Sequence, residues 1–434
     1  MVEPQLPDIY GDQTREIVYC NGRTRSNDIA ADTAVSLLDF LGGIMAQSAN
    51  GRTIYDADSH VMEAGDWLIP YADPSIRERL APLSSEEDLR TADTALANSR
   101  ARASDADTWT EGEQTVFTKK GWDAFGAMDP VERSRALDLL GFDLQLVLST
   151  YAGQAFKNGD DELLYGGTRA YNRAIAEFCS SDSRLLPVGY VSLDDPDLAI
   201  RELDELIRLG CDAVLIPAKA PRGRAPSHPD FFPFWARLQD ADMPFTLHVG
   251  GGGELFNPDY RANGLPVPTR GGDENLTSKD FMALHFAPEM FLSTIVLDGI
   301  LDRFPKLRGA CLEQGAGWVI PWLQQLDLAK EFFGRGDRNL GALTLRPSEY
   351  VRRQLTFTPM FPEPIGSLIE QGGAELFLFS SDFPHTEGGR DPIASFEENM
   401  LDTSEIAKDA FYRGNFARLM GSRLPISKPA EALT

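Results

Sequence analysis

The stretch LLPVGYVSLDDPDLAIRELDELIRLGCDAVLIPA, residues 185–218, decides the fold. Its first nine residues form a short strand-like run that is mostly apolar. DLAIRELDELIRLG follows with apolar side chains at helical spacing, and Gly210 ends it. CDAVLIPA is a second apolar run. Strand, amphipathic helix and strand in that order make a βαβ unit, so the two strands are expected to run parallel. Strands apolar on both faces are buried on both sides, as in a sheet sandwiched by helices.

The same alternation extends in both directions. Toward the N-terminus, strands are predicted at 144–150 and 53–58. Toward the C-terminus they are predicted at 244–251, 307–314, 355–361 and 374–385, with helical stretches between most of them. Eight such units imply an α/β protein with a (β/α)8 TIM-like barrel, and 434 residues suit a barrel with insertions. An open doubly wound sheet is the structural alternative, but no glycine-rich fingerprint follows the first strand. The barrel is expected over 53–420. An insertion after strand 1, about 64–127, is polar and carries Trp109, Phe117, Trp122 and Phe125. It reads as a partly helical cap or lid. Residues 1–52 read as an N-terminal helical extension with a helix over 29–45, and 421–434 as a C-terminal tail.

A formal net charge of −25 argues against nucleic acid and anionic membranes as partners. The four cysteines, Cys20, Cys179, Cys211 and Cys311, lack CxxC spacing and suit reduced thiols of a cytoplasmic protein. Neither a signal peptide nor a long uncharged apolar run is visible in the sequence.

Barrel enzymes work at the C-terminal ends of their strands, so the polar residues there carry the functional reading. Asp58 and His60 end strand one, two residues apart and therefore on one face. His248 ends strand five, before the run Gly250–Gly253. Glu313 ends strand six and Asp382 strand eight. Two of only five histidines and three carboxylates thus stand around one ring, a mixed nitrogen and oxygen set suited to a divalent metal.

The segments DADSHVME (56–63), LHVGGG (247–252), LDRFPKLRGACLEQGAGWVIPWLQQLD (301–327), SSDFPHTEG (380–388) and RGNFARLMG (413–421), in that order, resemble the amidohydrolase superfamily. The closest likeness is to the amidohydrolase-related branch with aminocarboxymuconate-semialdehyde, resorcylate and carboxyvanillate decarboxylases. The resemblance implies a metal-dependent enzyme with one divalent ion, zinc first and manganese or iron as alternatives. It implies Asp58, His60, His248 and Asp382 as ligands, with Asp382 also transferring protons. Two departures stand out. Many members have HxH on strand one where this chain has Asp58, and the decarboxylases have a catalytic histidine where this chain has Glu313. Glu313 is therefore expected to be an extra ligand or a second acid/base, with a helix cap at Gly317 as the structural alternative.

Other candidates follow. His285 and His385 are secondary catalytic candidates, His385 to orient Asp382 or to cap the turn at Pro384. Arg222 and Arg224 could pair with a substrate carboxylate, or belong to a solvated loop. Trp122 is a substrate-binding candidate. Lys219 sits where binuclear amidohydrolases carry a carbamylated lysine, which Asp58 in place of a histidine argues against. His228 reads as a helix-start turn. The expected activity is hydrolysis of a small cyclic or aromatic carbonyl compound through a metal-activated water. The alternative is non-oxidative decarboxylation of an aromatic or unsaturated carboxylate. A homodimer acting on a small-molecule substrate is expected.

Overall fold

Among the described residues, eight short parallel strands form the sheet: β1 Tyr55–Asp56, β2 His60–Val61, β3 Leu144–Ser149, β4 Leu185–Tyr190, β5 Ala213–Leu215, β6 Phe245–Leu247, β7 Gly309–Cys311 and β8 Leu355–Phe357. The computed structural model describes residues 51–81, 86–251, 256–266 and 276–425. The helix expected at 29–45 lies outside them. The strands pair in the order β1-β3-β4-β5-β6-β7-β8, with β2 beside β3. β1 and β2 are the single first strand of the sequence reading, broken where the Asp58 N–H turns to the Asp56 carboxylate at 3.3 Å.

The predicted strand at 374–385 takes a less regular form. Ala374–Leu376 is a short 3-10 turn. The residues after it close the barrel through single bonds. Leu378 N–H donates to Phe357 O at 2.9 Å on one side, and Ala57 N–H donates to Phe379 O at 3.1 Å on the other. Further along, His60 N–H reaches Phe383 O at 2.7 Å and Asp382 N–H reaches Asp58 O at 2.9 Å. A regular ladder cannot continue there, because Asp382 has φ +50° and Pro384 has no N–H to give.

Helices flank the sheet. The insertion contributes α1 Glu86–Arg102 and α2 Ala106–Glu113. Around the barrel run α3 Pro130–Leu140, α4 Asp161–Cys179, α5 Pro196–Leu209, α6 Phe232–Asp240, α7 Ser278–Ala283, α8 Phe286–Leu297, α9 Val319–Phe333, α10 Pro347–Gln354 and α11 Asn415–Met420. The sequence sets several of their ends. Asp129, Asp160 and Asp195 each cap a helix by accepting backbone N–H bonds, and Gly141 and Gly210 end α3 and α5 in the left-handed conformation. The helical stretch before β7 is broken, with Gly299 at φ +81° after α8. Ser278–Leu297 has the length and composition to cross a bilayer, but it carries Lys279, Asp280 and Glu289 and is partly buried within the fold.

The barrel interior is filled. Leu144, Leu146 and Leu148 of β3 meet Leu186, Val188, Ala213, Ala310, Leu312 and Leu378 in one apolar cluster. Phe416, Leu419 and Met420 join it from α11. The inner residues alternate with outward ones such as Val147, which packs in the larger cluster that includes the helices. The filled interior leaves the C-terminal strand ends as the place for chemistry. The insertion docks beside that end: Gly121 N–H donates to Pro384 O at 2.8 Å, and Met62 N–H to Ala127 O at 2.9 Å. Arg102 of α1 grips the buried Glu132 of α3 with two bonds of 2.8 and 3.0 Å.

Candidate metal centre

Asp58, His60, His248 and Glu313 converge above the filled barrel, and His60, Glu313, Asp382 and His385 form a second, overlapping set. In each set the nearest ligand-type atoms lie within 4.8 Å of one another. All six side chains are buried. His60 Nε2 stands 3.3 Å from Asp58 Oδ1 and 3.6 Å from Asp382 Oδ1. His248 Nε2 stands 3.3 Å from Asp58 Oδ1 and 3.2 Å from Glu313 Oε2.

Local backbone aims these groups. Glu313 and Asp382 have φ of +51° and +50°, a region that non-glycine residues rarely adopt and that clusters at functional sites. Each is held there: Glu313 N–H donates to Thr358 Oγ1 at 2.9 Å, and Asp382 N–H to Asp58 O at 2.9 Å. The imidazoles are fixed from behind. His60 Nδ1 lies 3.2 Å from Ser149 O and His248 Nδ1 lies 3.1 Å from Val249 O. A proton on each Nδ1 leaves both Nε2 lone pairs facing the acids, as metal-ligating histidines require. His385 stacks on His60 with ring centroids 4.1 Å apart. Its Nδ1 is 2.8 Å from Asp382 Oδ1, and its Nε2 is 3.0 Å from Thr150 Oγ1.

The electrostatics agree with a cation site. Burial, then the neighbouring His385, pushes His60 down, so its imidazole is neutral. Burial alone would raise Asp58, but positive charge facing it from His248 and His60 outweighs burial and holds the carboxyl well below its usual range; with both imidazoles neutral, a bound cation would supply that charge. Both oxygens of Asp58, Oδ2 of Asp382 and Nε2 of His60 are buried with no hydrogen-bond partner among the described residues, and Asp382 Oδ1 faces His385 Nδ1 at 2.8 Å. Buried carboxylate oxygens left that way are costly, and a divalent cation is the partner that would satisfy all of them at once.

Behind the cluster lies a relay that sequence reading did not find. The buried Asp56 carboxylate accepts from Gln145 Nε2 at 2.7 Å, from Ser381 N–H at 2.8 Å and from Ser381 Oγ at 2.5 Å. It thereby ties strand one to β3 and to the closing segment. Burial pushes it up to about 7, against these hydrogen bonds. Arg133, fully buried on α3, donates to Gln145 Oε1 at 3.0 Å, to Gly126 O at 2.6 Å and to His60 O. The DAD spacing at 56–58 was the one visible signal. Arg133 reads in sequence as one more charge on an amphipathic helix.

The remaining candidates fall as follows. The backbone N–H groups beside Gly317 go to Glu363, which accepts from Ala316 N–H at 2.8 Å and Gly317 N–H at 2.7 Å in the turn just before α9. His285 lies outside both ligand sets and stacks on Trp318 at 5.8 Å. Arg222 pairs with Asp161 at 2.5 Å and Arg224 with Asp230 at 2.9 Å. Trp122 stacks on Tyr151 at 5.2 Å.

Two cavities open on the cluster. One, of about 370 Å³, touches Asp58, Glu313 and Asp382 and is walled by Phe281, Leu284, Met360, Phe361 and Phe396. The other, of about 420 Å³, touches His248 and lies toward β3, β4 and β5. Val249 borders both. His285, Arg222, Arg224, Trp122 and the described residues of the insertion line neither.

The fold has relatives. No curated protein matches the chain by sequence. Among solved structures, an amidohydrolase from Mycobacterium avium subsp. paratuberculosis is 22% identical with a TM-score of 0.68, over 86% of this chain and 100% of that one. The 5-carboxyvanillate decarboxylase from Sphingomonas paucimobilis is 19% identical with a TM-score of 0.56, over 85% and 99%. A dihydroxybenzoic acid decarboxylase from Polaromonas sp., solved with bound manganese and the inhibitor 2-nitroresorcinol, is 16% identical with a TM-score of 0.57, over 86% and 100%. These likenesses bear out the barrel. The sequence pattern of the amidohydrolase family matches residues 55–421, nearly the whole described chain, and the protein belongs to that family.

Proposed function

We propose that this amidohydrolase is a metal-dependent carbon–carbon lyase that removes a carboxyl group from an aromatic or unsaturated carboxylate. The observation that carries this reading is the position of Asp382. It belongs to the ligand cluster, is backed by His385 at 2.8 Å, and borders a cavity walled largely by apolar side chains. Relatives of the same fold named as decarboxylases, one with manganese bound, support it.

Asp58, His60, His248 and Asp382 would hold one divalent ion, manganese or zinc, with Glu313 beside them. The bound ion supplies positive charge that holds the substrate's oxygens and stabilises charge gathering on them. The apolar wall of Phe281, Met360 and Phe361 packs the ring and excludes water. Asp382, in its acid form, delivers its proton to the carbon that bears the carboxyl group. The bond to the carboxyl carbon then breaks, its electron pair returns to the ring, and carbon dioxide leaves. Asp382 remains as carboxylate and regains a proton from water. His385, held by Thr150, keeps it aimed.

Hydrolysis is the second reading, favoured by Glu313. That carboxylate stands 3.2 Å from His248 Nε2, where the decarboxylases that the chain resembles carry a histidine. It would give the site a second group to take a proton from water. The experiment is an assay of manganese-loaded protein against hydroxylated benzoates, lactones and amides, with carbon dioxide and acid release followed separately. Carbon dioxide from a benzoate is expected. Acid release from a lactone or amide with no carbon dioxide from any carboxylate would put hydrolysis in its place.

A further inference from the structure

Where the insertion rejoins the barrel, it is clasped by two consecutive residues of α3. Gly126 N–H donates to the Glu132 carboxylate at 3.2 Å, and Arg133 Nε donates to Gly126 O at 2.6 Å. Glu132 is itself gripped by Arg102 of α1. The fit leaves no room for a side chain at Gly126. Its φ is +86°, and a Cβ there would stand 2.9 Å from the Arg133 Cα. One residue on, Ala127 O accepts from Met62 N–H at 2.9 Å, two positions past His60.

The same Arg133 reaches the metal centre. Its guanidinium donates to His60 O and, at 3.0 Å, to Gln145 Oε1. Gln145 passes the contact on, donating to the Asp56 carboxylate at 2.7 Å. The guanidinium also lies 5.0 Å from the centre of the Phe383 ring, one residue past Asp382. Arg133 is fully buried, and its bonds to Gly126, His60 and Gln145 leave from one rigid planar fork. The three acceptors belong to the insertion, to strand one and to β3, so the fork holds them at fixed separations. A lysine there would be a compact point donor and could not span them.

Building on the metal-centre reading, we infer that Arg133 is a positioning residue that couples the insertion to the metal centre. It sets the aim of His60 through the ligand's own carbonyl, and the fork is anchored by the end of the insertion at Gly126. Metal affinity and docking of the insertion are therefore linked. Whatever factor docking adds to metal affinity, the metal adds to docking. The insertion thus acts on the site through α3 and not as a cavity wall, since its described residues line neither cavity.

The test is manganese binding followed by calorimetry, together with hydrogen exchange at 121–127 with and without manganese. Arg133→Lys keeps the charge and loses the fork, and it should weaken manganese about tenfold to a hundredfold. Arg102→Met loosens Glu132 from the insertion side, touches no cluster residue, and should weaken manganese about fivefold. Arg308→Met is the comparison. It breaks bonds to Asp242 and Leu419 O outside this network, and manganese affinity should stay at the parent value. In the parent protein manganese should slow exchange at 121–127; in Arg133→Lys it should not. Should Arg133→Lys fail to fold, Arg102→Met decides the matter with the same two measurements. Parent affinity in either of those variants, an equal loss in Arg308→Met, or exchange that manganese leaves unchanged overturns the inference. A parent protein that binds no manganese would refute the metal centre itself, whereas parent binding that the variants do not alter refutes this inference alone.

Discussion

Glu313 is the residue on which the chemistry turns. Its backbone is held at φ +51°, and its carboxylate stands 3.2 Å from His248 Nε2 within the ligand cluster. The N–H of Gly317, where a structural role for Glu313 would act, bonds to Glu363 at 2.7 Å. Glu313→Gln keeps the shape and removes the charge, so manganese affinity, measured by elemental analysis after dialysis, should fall about tenfold to a hundredfold. Full metal content together with full turnover would deny Glu313 a chemical part. A second residue offers a cleaner electrostatic test, away from the cluster. Burial pushes Asp212 up to about 6, with Arg423 opposing. The folded state therefore keeps a proton that the unfolded chain has released, and stability falls as pH rises from about 4 to about 6. Asp212→Asn removes that penalty. It should stabilise the protein at pH 7 by up to about 3 kcal/mol and leave it unchanged at pH 4. Urea unfolding at the two pH values measures the difference; equal gains at both would contradict it.

At the scale of elements, the site depends on loops held by side chains from elsewhere. Glu363 gathers Ala316, Gly317 and Met360 N–H groups, so it fixes the turn before α9 and the cavity wall at Met360 together. Glu363→Ala should cost about 1–3 kcal/mol in urea unfolding and raise KM more than it lowers kcat. An unchanged KM would separate the turn from the cavity. Contacts of this kind explain what sequence reading could reach. The βα alternation and the two-residue step from Asp58 to His60 are local periodicities, so the barrel and the first pair of cluster residues were legible. His248 and Asp382 followed because they end apolar strands. Glu363 was not legible, since its partners lie 46 and 47 positions away. Arg133 was hidden for a related reason: its pattern in α3 matches that of any solvated charge, and only the fold shows it bonded to His60 and Gln145. The eighth strand was legible as an apolar run, but its irregular closure depends on the φ of Asp382 and on Pro384.

The whole molecule places its polar capacity at one end. Below the cluster the interior is sealed by leucines and by α11, and above it two cavities meet at Val249. That division gives a physical reason for a barrel that buries several acids against imidazoles and against one another. The oxygens of Asp58 and Asp382 would be a liability in a fold that bound no cation. Anomalous diffraction from crystals of manganese-loaded protein tests this most directly. One ion per chain is expected, with bonds of about 2.0–2.3 Å to Asp58, His60, His248 and Asp382. An ion bound elsewhere, or any of those four side chains more than about 5 Å from it, would contradict the account.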